Sequence, residues 1–372
     1  MRWGSDMSDF VPAVASARED SELMELVSRT PVPGAVSLRY ERSPSYLAGC
    51  GTLGSVSEAL ILRHEPTGRI AGLACRSVRK LFVNGEPVDV GYLGQLRVDS
   101  SFRSRGLVAR GFRFIRDLDK DKRLPGYITT LIEGNAEALG VLVDRPRPGM
   151  PRYRFVERLC GLAIPAKRQA PRSAPGVEFL RGGAFPGGDI AAFLRACGRR
   201  RQFAACYEEA DFSADSGLTR GFDQADLFVA TSGGGIVGTA GLWDQSAYKQ
   251  TVVHGYSRLL SLARPWMNKL GIAGLPAPGE PLRMAYLSFL GVGEDDPVVF
   301  AGLLGRVLDL AARRGISFVI LGLSERDPLL QPARNWRHAA YWSRLYTVGW
   351  EGQETFHESL DGRASGVEFA AL

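Results

Sequence analysis

The chain has 372 residues, 45% of them hydrophobic and 23% charged, which is typical of a globular protein and predicts two domains at this length. The 46 basic and 40 acidic residues are dispersed, so the net charge of +6 does not by itself indicate nucleic-acid binding. The absence of an apolar run of about eighteen residues, and of an apolar leader, predicts a cytoplasmic protein without a membrane segment.

Cysteine and histidine residues carry no metal or disulfide signature. The five cysteines are scattered and include no Cys-x-x-Cys pair, and the four histidines have no ligand spacing such as His-x-x-x-His. We therefore expect neither a disulfide framework nor a metal site.

The first elements along the chain are predicted from apolar periodicity and turn residues. A short edge strand over 10–13 precedes a helix over 16–28. A strand over 58–64 pairs with one over 69–78, and Asn84-Gly85 joins a strand at 81–83 to one at 88–98. A helix begins near Gly106, and a buried strand follows over 127–132.

This strand–turn–helix–strand order predicts a right-handed crossover that places strand 127–132 parallel to strand 88–98. The turn before the helix, Arg103–Val108, is cationic and contains a glycine. Unpaired backbone N–H groups and the positive end of the dipole lie at a helix start, so the turn suits a pyrophosphate. The alternative is an ordinary turn whose arginines are solvated.

Arg103–Val108 resembles the acyl-CoA loop of the GNAT (Gcn5-related) N-acetyltransferases, Gln/Arg-x-x-Gly-x-Gly/Ala. Arg103 and Gly106 match, whereas Val108 departs from the last position. The resemblance covers most of residues 8–165 and implies acetyl-CoA as cofactor. The cofactor-binding residues it implies are the backbone of Leu96, Arg97 and Val98, the turn residues Arg103, Ser104, Arg105, Gly106, Leu107 and Val108, and Asn135. An N-cap role alone is the alternative for Asn135.

The same order of elements starts again after a polar, proline-containing linker at 166–176. Strands are predicted over 177–180, 227–231, 236–243, 284–292 and 316–323, and helices over 189–206 and 297–314. We therefore predict an α+β fold of two tandem GNAT-like domains, 1–165 and 177–372, each a mixed, mostly antiparallel sheet with one βαβ crossover. The second turn, Gly291–Pro297, is acidic, so acyl-CoA is expected in the first domain only.

Direct transfer to an amine needs a base and a proton donor for the leaving thiolate. Glu133 follows strand 127–132, where two parallel strands are expected to splay, so it is the candidate base. The resemblance implies Tyr153 as the proton donor. The alternatives are a solvated carboxylate and a packing tyrosine.

We therefore expect an acetyl-CoA-dependent N-acetyltransferase that modifies a primary amine of a small molecule or peptide. A longer-chain acyltransferase or a tRNA-dependent aminoacyl transferase is the alternative within enzymes, since the basic character does not exclude tRNA. A non-enzymatic acyl-CoA-binding protein, suggested by Val108, is the alternative outside them. Nothing in the sequence selects the acceptor or an oligomeric state.

Overall fold

A computed structural model describes residues 9–32, 34, 36–103, 106–120, 124–170, 172–213, 216–269 and 274–372, except for the side chain of Met267. The strands are β1 Phe10–Val14, β2 Val36–Glu41, β3 Val56–His64, β4 Arg69–Val83, β5 Glu86–Val98, β6 Tyr127–Ile132, β7 Arg152–Pro165, β8 Glu178–Arg181, β9 Leu227–Ser232, β10 Gly235–Trp243, β11 Gln250–Tyr256, β12 Met284–Val292, β13 Phe318–Ser324 and β14 Ala339–Gly349. The helices are α1 Asp20–Ser28, α2 Tyr46–Cys50, α3 Leu107–Asp119, α4 Ala136–Leu139, α5 Gly187–Gly198, α6 Arg258–Lys269, α7 Pro297–Arg313, α8 Leu330–Arg334 and α9 Glu354–Glu358.

One continuous mixed sheet organises the molecule. Its strand order is β1-β3-β4-β5-β6-β14-β7-β13-β12-β10-β9-β8, and β2 and β11 form a separate antiparallel pair. The predicted parallel pairs, β5 with β6 and β12 with β13, are confirmed. The predicted α+β fold with two βαβ crossovers is therefore present.

The two halves of the chain exchange their last strands. β14, from the second half, lies between β6 and β7 and pairs with both, while β7, from the first half, pairs with β13. Strands from both halves of the chain thus form one sheet, and the predicted linker at 166–176 does not divide it. The domain boundaries 1–165 and 177–372 stay a prediction.

Local sequence patterns correctly predicted several strands, a turn and a helix start. The strands expected over 127–132 and 284–292 have those bounds. Asn84 and Gly85 both have positive φ, 54° and 87°, as the two central residues of a type I′ hairpin turn require. Asp296 caps α7 by accepting hydrogen bonds from two backbone N–H groups, which agrees with the predicted helix start.

Two differences arise from long-range packing. The helix expected over 189–206 ends at Gly198, because the chain then runs beside β4. There Phe203 N donates to Phe82 O at 2.7 Å, and Phe82 N donates to Ala204 O at 2.8 Å. For residues 248–281 the sequence predicts an irregular insertion with an amphipathic helix over 255–270. The helix is present as α6, but the segment also contains β11, whose partner β2 lies about two hundred residues earlier in the chain.

Helices cover both faces of the sheet in the first half. Successive residues of β3 point to opposite faces, and Leu60 joins the apolar cluster beneath α3 while Ile61 joins the cluster beneath α1 and α2. In the second half, α7 packs with the cluster around Leu303 and α5 with the cluster around Phe289. The sheet therefore separates two sides of the molecule.

A buried arginine ties α3 to the sheet. Arg76 on β4 is 0% exposed, and its guanidinium lies 2.7 Å from Glu58 Oε2, 2.9 Å from Asp119 Oδ1 and 2.8 Å from Tyr127 Oη. Glu58, Asp119 and Tyr127 belong to β3, α3 and β6. One cation thus fixes four elements relative to one another.

Within the described ranges, no helix is both long and apolar enough to cross a membrane. Over the same residues, no group of three or more His, Cys, Asp or Glu side chains is placed to hold a metal ion.

Candidate functional site

The central feature of the first half is an opening between β5 and β6. The two strands are in register at Gly91–Tyr127 and Tyr92–Ile128, and they then diverge. Gly91 permits the close approach, since a Cβ there would lie 2.1 Å from the Tyr127 ring. Beyond this point, each strand has a backbone edge that faces the opening.

A cavity of about 290 Å³ occupies this opening. On the α3 side its lining is apolar and includes Leu60, Leu93, Phe112, Ile115 and Leu142. On the other side it is lined by polar and aromatic residues, which include Tyr40, Arg42, Arg97, Lys249, Tyr286 and Tyr341. The cavity therefore passes from one side of the sheet to the other.

A β-bulge directs β5 into the cavity. Leu73 pairs with Arg97 and Cys75 with Gly94, so two residues of β5 stand opposite Ala74. Gln95, one of the two, has φ of 56°. A bulge bends a strand and re-aims its backbone, and here Gly94–Val98 all line the cavity. The predicted segment Leu96, Arg97 and Val98 is thus brought to the site.

The second half repeats this bulge but closes the opening. Phe289 has φ of 55°, and its N–H donates to Glu368 Oε2 at 3.2 Å. The Phe369 ring lies where a Cβ on Gly322 of β13 would be 2.0 Å away. The segment that contains Glu368 and Phe369 therefore fills the second opening, and the cavity that remains there measures about 110 Å³.

The predicted phosphate turn lies at the start of α3. Gly106 has φ of 71° and precedes Leu107, the first residue of the helix, and Leu107 and Val108 line the cavity. The Arg103 side chain is exposed and lies 3.0 Å from Glu137. Ser104 and Arg105 lie outside the described residues.

Val108, the departure from the GNAT pattern, packs against the apolar cluster beneath α3. Asn135 caps α4, accepting a 3.1 Å hydrogen bond from Ala138 N, and also lines the cavity. An N-cap and a place beside a bound cofactor are thus compatible for Asn135.

Glu133, the candidate base, is not brought to the cavity. Arg158 binds both of its oxygens, at 2.8 and 2.9 Å, and Arg344 Nε lies 3.2 Å away. These contacts, the hydrogen bonds from Arg158 first, lower the pKa of Glu133. Because a carboxylate stabilised in its charged form is a weak base, the geometry disfavours the role that the sequence suggested.

Tyr153 lies on β7 and lines the cavity on the α3 side. Its ring packs edge-on against Phe112 and Tyr346, with centroids 6.3 and 6.0 Å apart. Burial raises the pKa of Tyr153 above its usual value, so the hydroxyl keeps its proton at neutral pH.

Lys249 was not singled out from the sequence. It lines the cavity on the side opposite α3, and its Nζ lies 3.3 Å from Ala370 O and 3.1 Å from Leu372 O. Burial, together with the charge of Arg42, lowers the pKa of Lys249 to about 7. No local pattern identifies it, because the pairing of β11 with β2 brings this part of the chain to the cavity.

Solved structures with a similar fold were found. A GCN5-related N-acetyltransferase from Sphaerobacter thermophilus has a TM-score of 0.55 at 14% identity, covering 91% of this chain and 95% of that chain. Saccharomyces cerevisiae N-myristoyltransferase with bound myristoyl-CoA and inhibitors has a TM-score of 0.60 at 11% identity, covering 97% and 87%. An Enterococcus faecalis V583 protein described as a probable N-acyltransferase has a TM-score of 0.51 at 10% identity, covering 93% and 74%.

These identities show the fold and nothing finer. The chain has the GNAT fold in tandem, as the sequence predicted. No protein-family model matches the sequence, and no curated protein matches it.

Proposed function

We propose that the protein is an acyl-CoA-dependent N-acyltransferase that moves an acyl group directly to a primary amine. The observation that carries the proposal is the cavity that crosses the sheet between β5 and β6. It gives an acyl thioester and an amine access to one point from opposite sides. The three similar folds, each named for acyl transfer to nitrogen and one of them as probable, support the same class.

The residues present fit a CoA thioester. The start of α3 supplies backbone N–H groups for its phosphates, and the bulged edge at Leu96, Arg97 and Val98 suits a pantetheine arm held as an added strand. Val108, the departure from the GNAT pattern, packs beneath α3 and also lines the cavity. In the second half, Glu368 occupies the equivalent bulge, so we place the cofactor in the first half only.

The chemistry follows from groups that line the cavity. Lys249 in its neutral form takes a proton from the acceptor ammonium, and the freed amine attacks the thioester carbonyl carbon. Backbone N–H groups near the Gln95 bulge can stabilise the oxygen that becomes negative. When the carbon–sulfur bond breaks, Tyr153 donates a proton to the thiolate, and the second proton that the amine nitrogen loses restores the Tyr153 hydroxyl. Lys249 then releases its proton to solvent. Lys249 thus replaces Glu133 as the proposed base.

The acyl group is the finer part of the proposal. Acetyl is the group expected from the sequence, but Leu60, Leu93, Phe112, Ile115 and Leu142 form an apolar lobe on the α3 side. An acetyl group has little apolar surface to bury there, whereas each buried CH₂ contributes about 0.8 kcal/mol. The lobe therefore favours the longer-chain alternative. A small-molecule or peptide amine as acceptor, and a cytoplasmic location, remain part of the proposal.

The test is CoA release from acetyl-, octanoyl- and myristoyl-CoA with a panel of primary amines. We expect amine-dependent release, with kcat/KM rising with chain length in the wild type. Leu142→Trp, which fills the lobe, should return the preference to acetyl-CoA, whereas the volume-conserving Leu142→Ile should not. If no amine stimulates release although acyl-CoA binds, the non-enzymatic alternative is correct.

A further inference from the structure

Two arginines face the cavity on the side opposite α3. Arg42, just after β2, is 3% exposed, donates to the Gly49 carbonyl and lies with its guanidinium 5.5 Å from the centre of the Tyr46 ring. Arg97 on β5 donates from Nη1 to Leu96 O at 2.9 Å. Arg97 Nε is shielded from solvent and has no hydrogen-bond partner among the described residues.

Among the described residues, neither of these guanidinium groups forms an ion pair with a carboxylate. The groups that act most strongly on Arg97 are the hydroxyls of Tyr46 and Tyr40 and the charge of Arg42, and those on Arg42 are cysteines and tyrosines. Glu41 lines the same cavity, but its Oε1 is held by Arg39 at 3.2 Å.

Withdrawing a guanidinium from water without a counter-ion is costly. Burial and the charge of Arg42 accordingly lower the pKa of Arg97. An incoming anion would compensate both arginines and could accept from the unused Nε. Tyr40 adds a donor, because burial raises the pKa of its hydroxyl and keeps it protonated.

We propose that the acceptor amine carries a carboxylate, as an amino acid does, and that Arg97 and Arg42, with the Tyr40 hydroxyl, bind that carboxylate. This inference rests on the proposed function and narrows its acceptor. The planar fork of an arginine matches a carboxylate with two parallel hydrogen bonds. Lys249 lines the same side of the cavity, so a carboxylate held here also brings its amine to the side on which the base lies.

The phosphates of CoA are a poorer match for this pair. They are assigned to the start of α3, whose apolar cluster contains Leu60, whereas Arg42 and Arg97 lie near Tyr46 and Cys75 of the cluster beneath α1 and α2. These clusters are on opposite faces of the sheet. The arginines therefore lie on the acceptor's side of the opening.

The experiment is calorimetry on the full chain saturated with CoA, using matched ligand pairs. The probes are glycine, L-leucine and L-phenylalanine, each compared with its primary amide, which keeps the amine and removes the charge. We expect at least one amino acid to bind about tenfold or more tightly than its amide. The same pairs, offered with the best acyl-CoA, should show a similar preference in kcat/KM.

Variants locate the effect. Arg97→Gln should abolish the preference for the carboxylate, whereas Arg113→Gln, at an exposed arginine on α3, should leave that preference unchanged. Tyr40→Phe, which keeps the ring and both arginines, should reduce the preference part of the way. It serves as the second variant in case Arg97→Gln does not fold.

The inference is overturned if the amides bind as well as the amino acids, if none of the amino acids binds the CoA complex, or if a folded Arg97→Gln protein keeps the full preference for the carboxylate. Failure of the proposed function is distinct, because then CoA itself does not bind or no amine of any charge is acylated. If amides and simple amines are acylated as fast as amino acids, the inference about the carboxylate is wrong, whereas the proposed function still holds.

Discussion

Glu133 and Arg158 form a two-point ion pair, with Arg158 Nε 2.8 Å from one carboxylate oxygen and Nη2 2.9 Å from the other. The pair joins the end of β6 to β7, across the strand that the second half inserts between them. Glu133 therefore forms a contact between strands of the sheet and is not among the residues that line the cavity. Replacing Glu133 distinguishes a structural role from a catalytic one.

Glu133→Gln should keep kcat within a few-fold of the wild type, since loss of a general base costs about 10²–10⁴ in rate. Glu325→Gln is the matched control, because the Glu325 carboxylate also contacts Arg158, whose backbone N–H donates to Glu325 Oε1 at 3.1 Å. Steady-state kinetics with the preferred acyl-CoA give kcat for both variants and the wild type. A loss above about a hundredfold in a folded Glu133→Gln protein alone would restore Glu133 as the base.

The pH dependence of kcat/KM, which reflects groups of the free enzyme, reports on Lys249. Its pKa is lowered to about 7, and only the neutral amine can accept a proton, so kcat/KM should be low below pH 7 and rise as pH increases through about 7. Lys249→Met should lose about 10²–10⁴ in kcat together with this rise. Lys80→Met, at an exposed lysine paired with Glu208, should change neither. An unchanged pH profile in Lys249→Met would exclude Lys249 as the base.

Tyr153→Phe tests the proton donor. The substitution removes one oxygen from a ring that packs against Phe112 and Tyr346, so binding of acyl-CoA should be retained while kcat falls by about 10²-fold. Tyr346→Phe removes a hydroxyl from the neighbouring ring, which is not part of the cavity lining. Equal kcat values for both variants and the wild type would show that Tyr153 only packs.

Arg76→Met should lower the free energy of unfolding by about 3–5 kcal/mol, because the buried guanidinium is shared by two carboxylates and a tyrosine hydroxyl. Arg113→Met on the exposed side of α3 should change it by less than about 0.5 kcal/mol. Urea unfolding of both variants gives the comparison. Similar stability of the two would mean that the network does not hold α3 on the sheet.

Sequence patterns correctly predicted those elements whose structure is determined by residues close to them in the chain. The turn at Asn84-Gly85, the cap at Asp296 and the strand over 127–132 each carry their own signal. The insertion of β14 beside β6 does not, because local alternation fixes a strand but not its partner from the other half of the chain.

The residues of the candidate site show the same difference between local and long-range determinants. Gly106 and Asn135 were singled out by the resemblance to the GNAT pattern, and the structure places both at helix starts, which have a characteristic composition. Lys249 depends on a pairing between distant strands, and the Gln95 bulge has a non-glycine residue at positive φ, which no pattern indicated. Glu133 was placed at the correct strand end, but its partners Arg158 and Arg344 belong to strands that meet only in the folded sheet.

The most direct test of the account is calorimetric titration of CoA into the wild type and into Leu131→Trp. Leu131 on β6 lines the cavity and packs beneath α3, so a tryptophan there should obstruct the opening, while Leu131→Ile should not. We predict one CoA per chain in the wild type and in Leu131→Ile, with affinity reduced at least about tenfold in Leu131→Trp. Undiminished binding to a folded Leu131→Trp protein, or two CoA per chain, would contradict the assignment of the cofactor to the opening between β5 and β6.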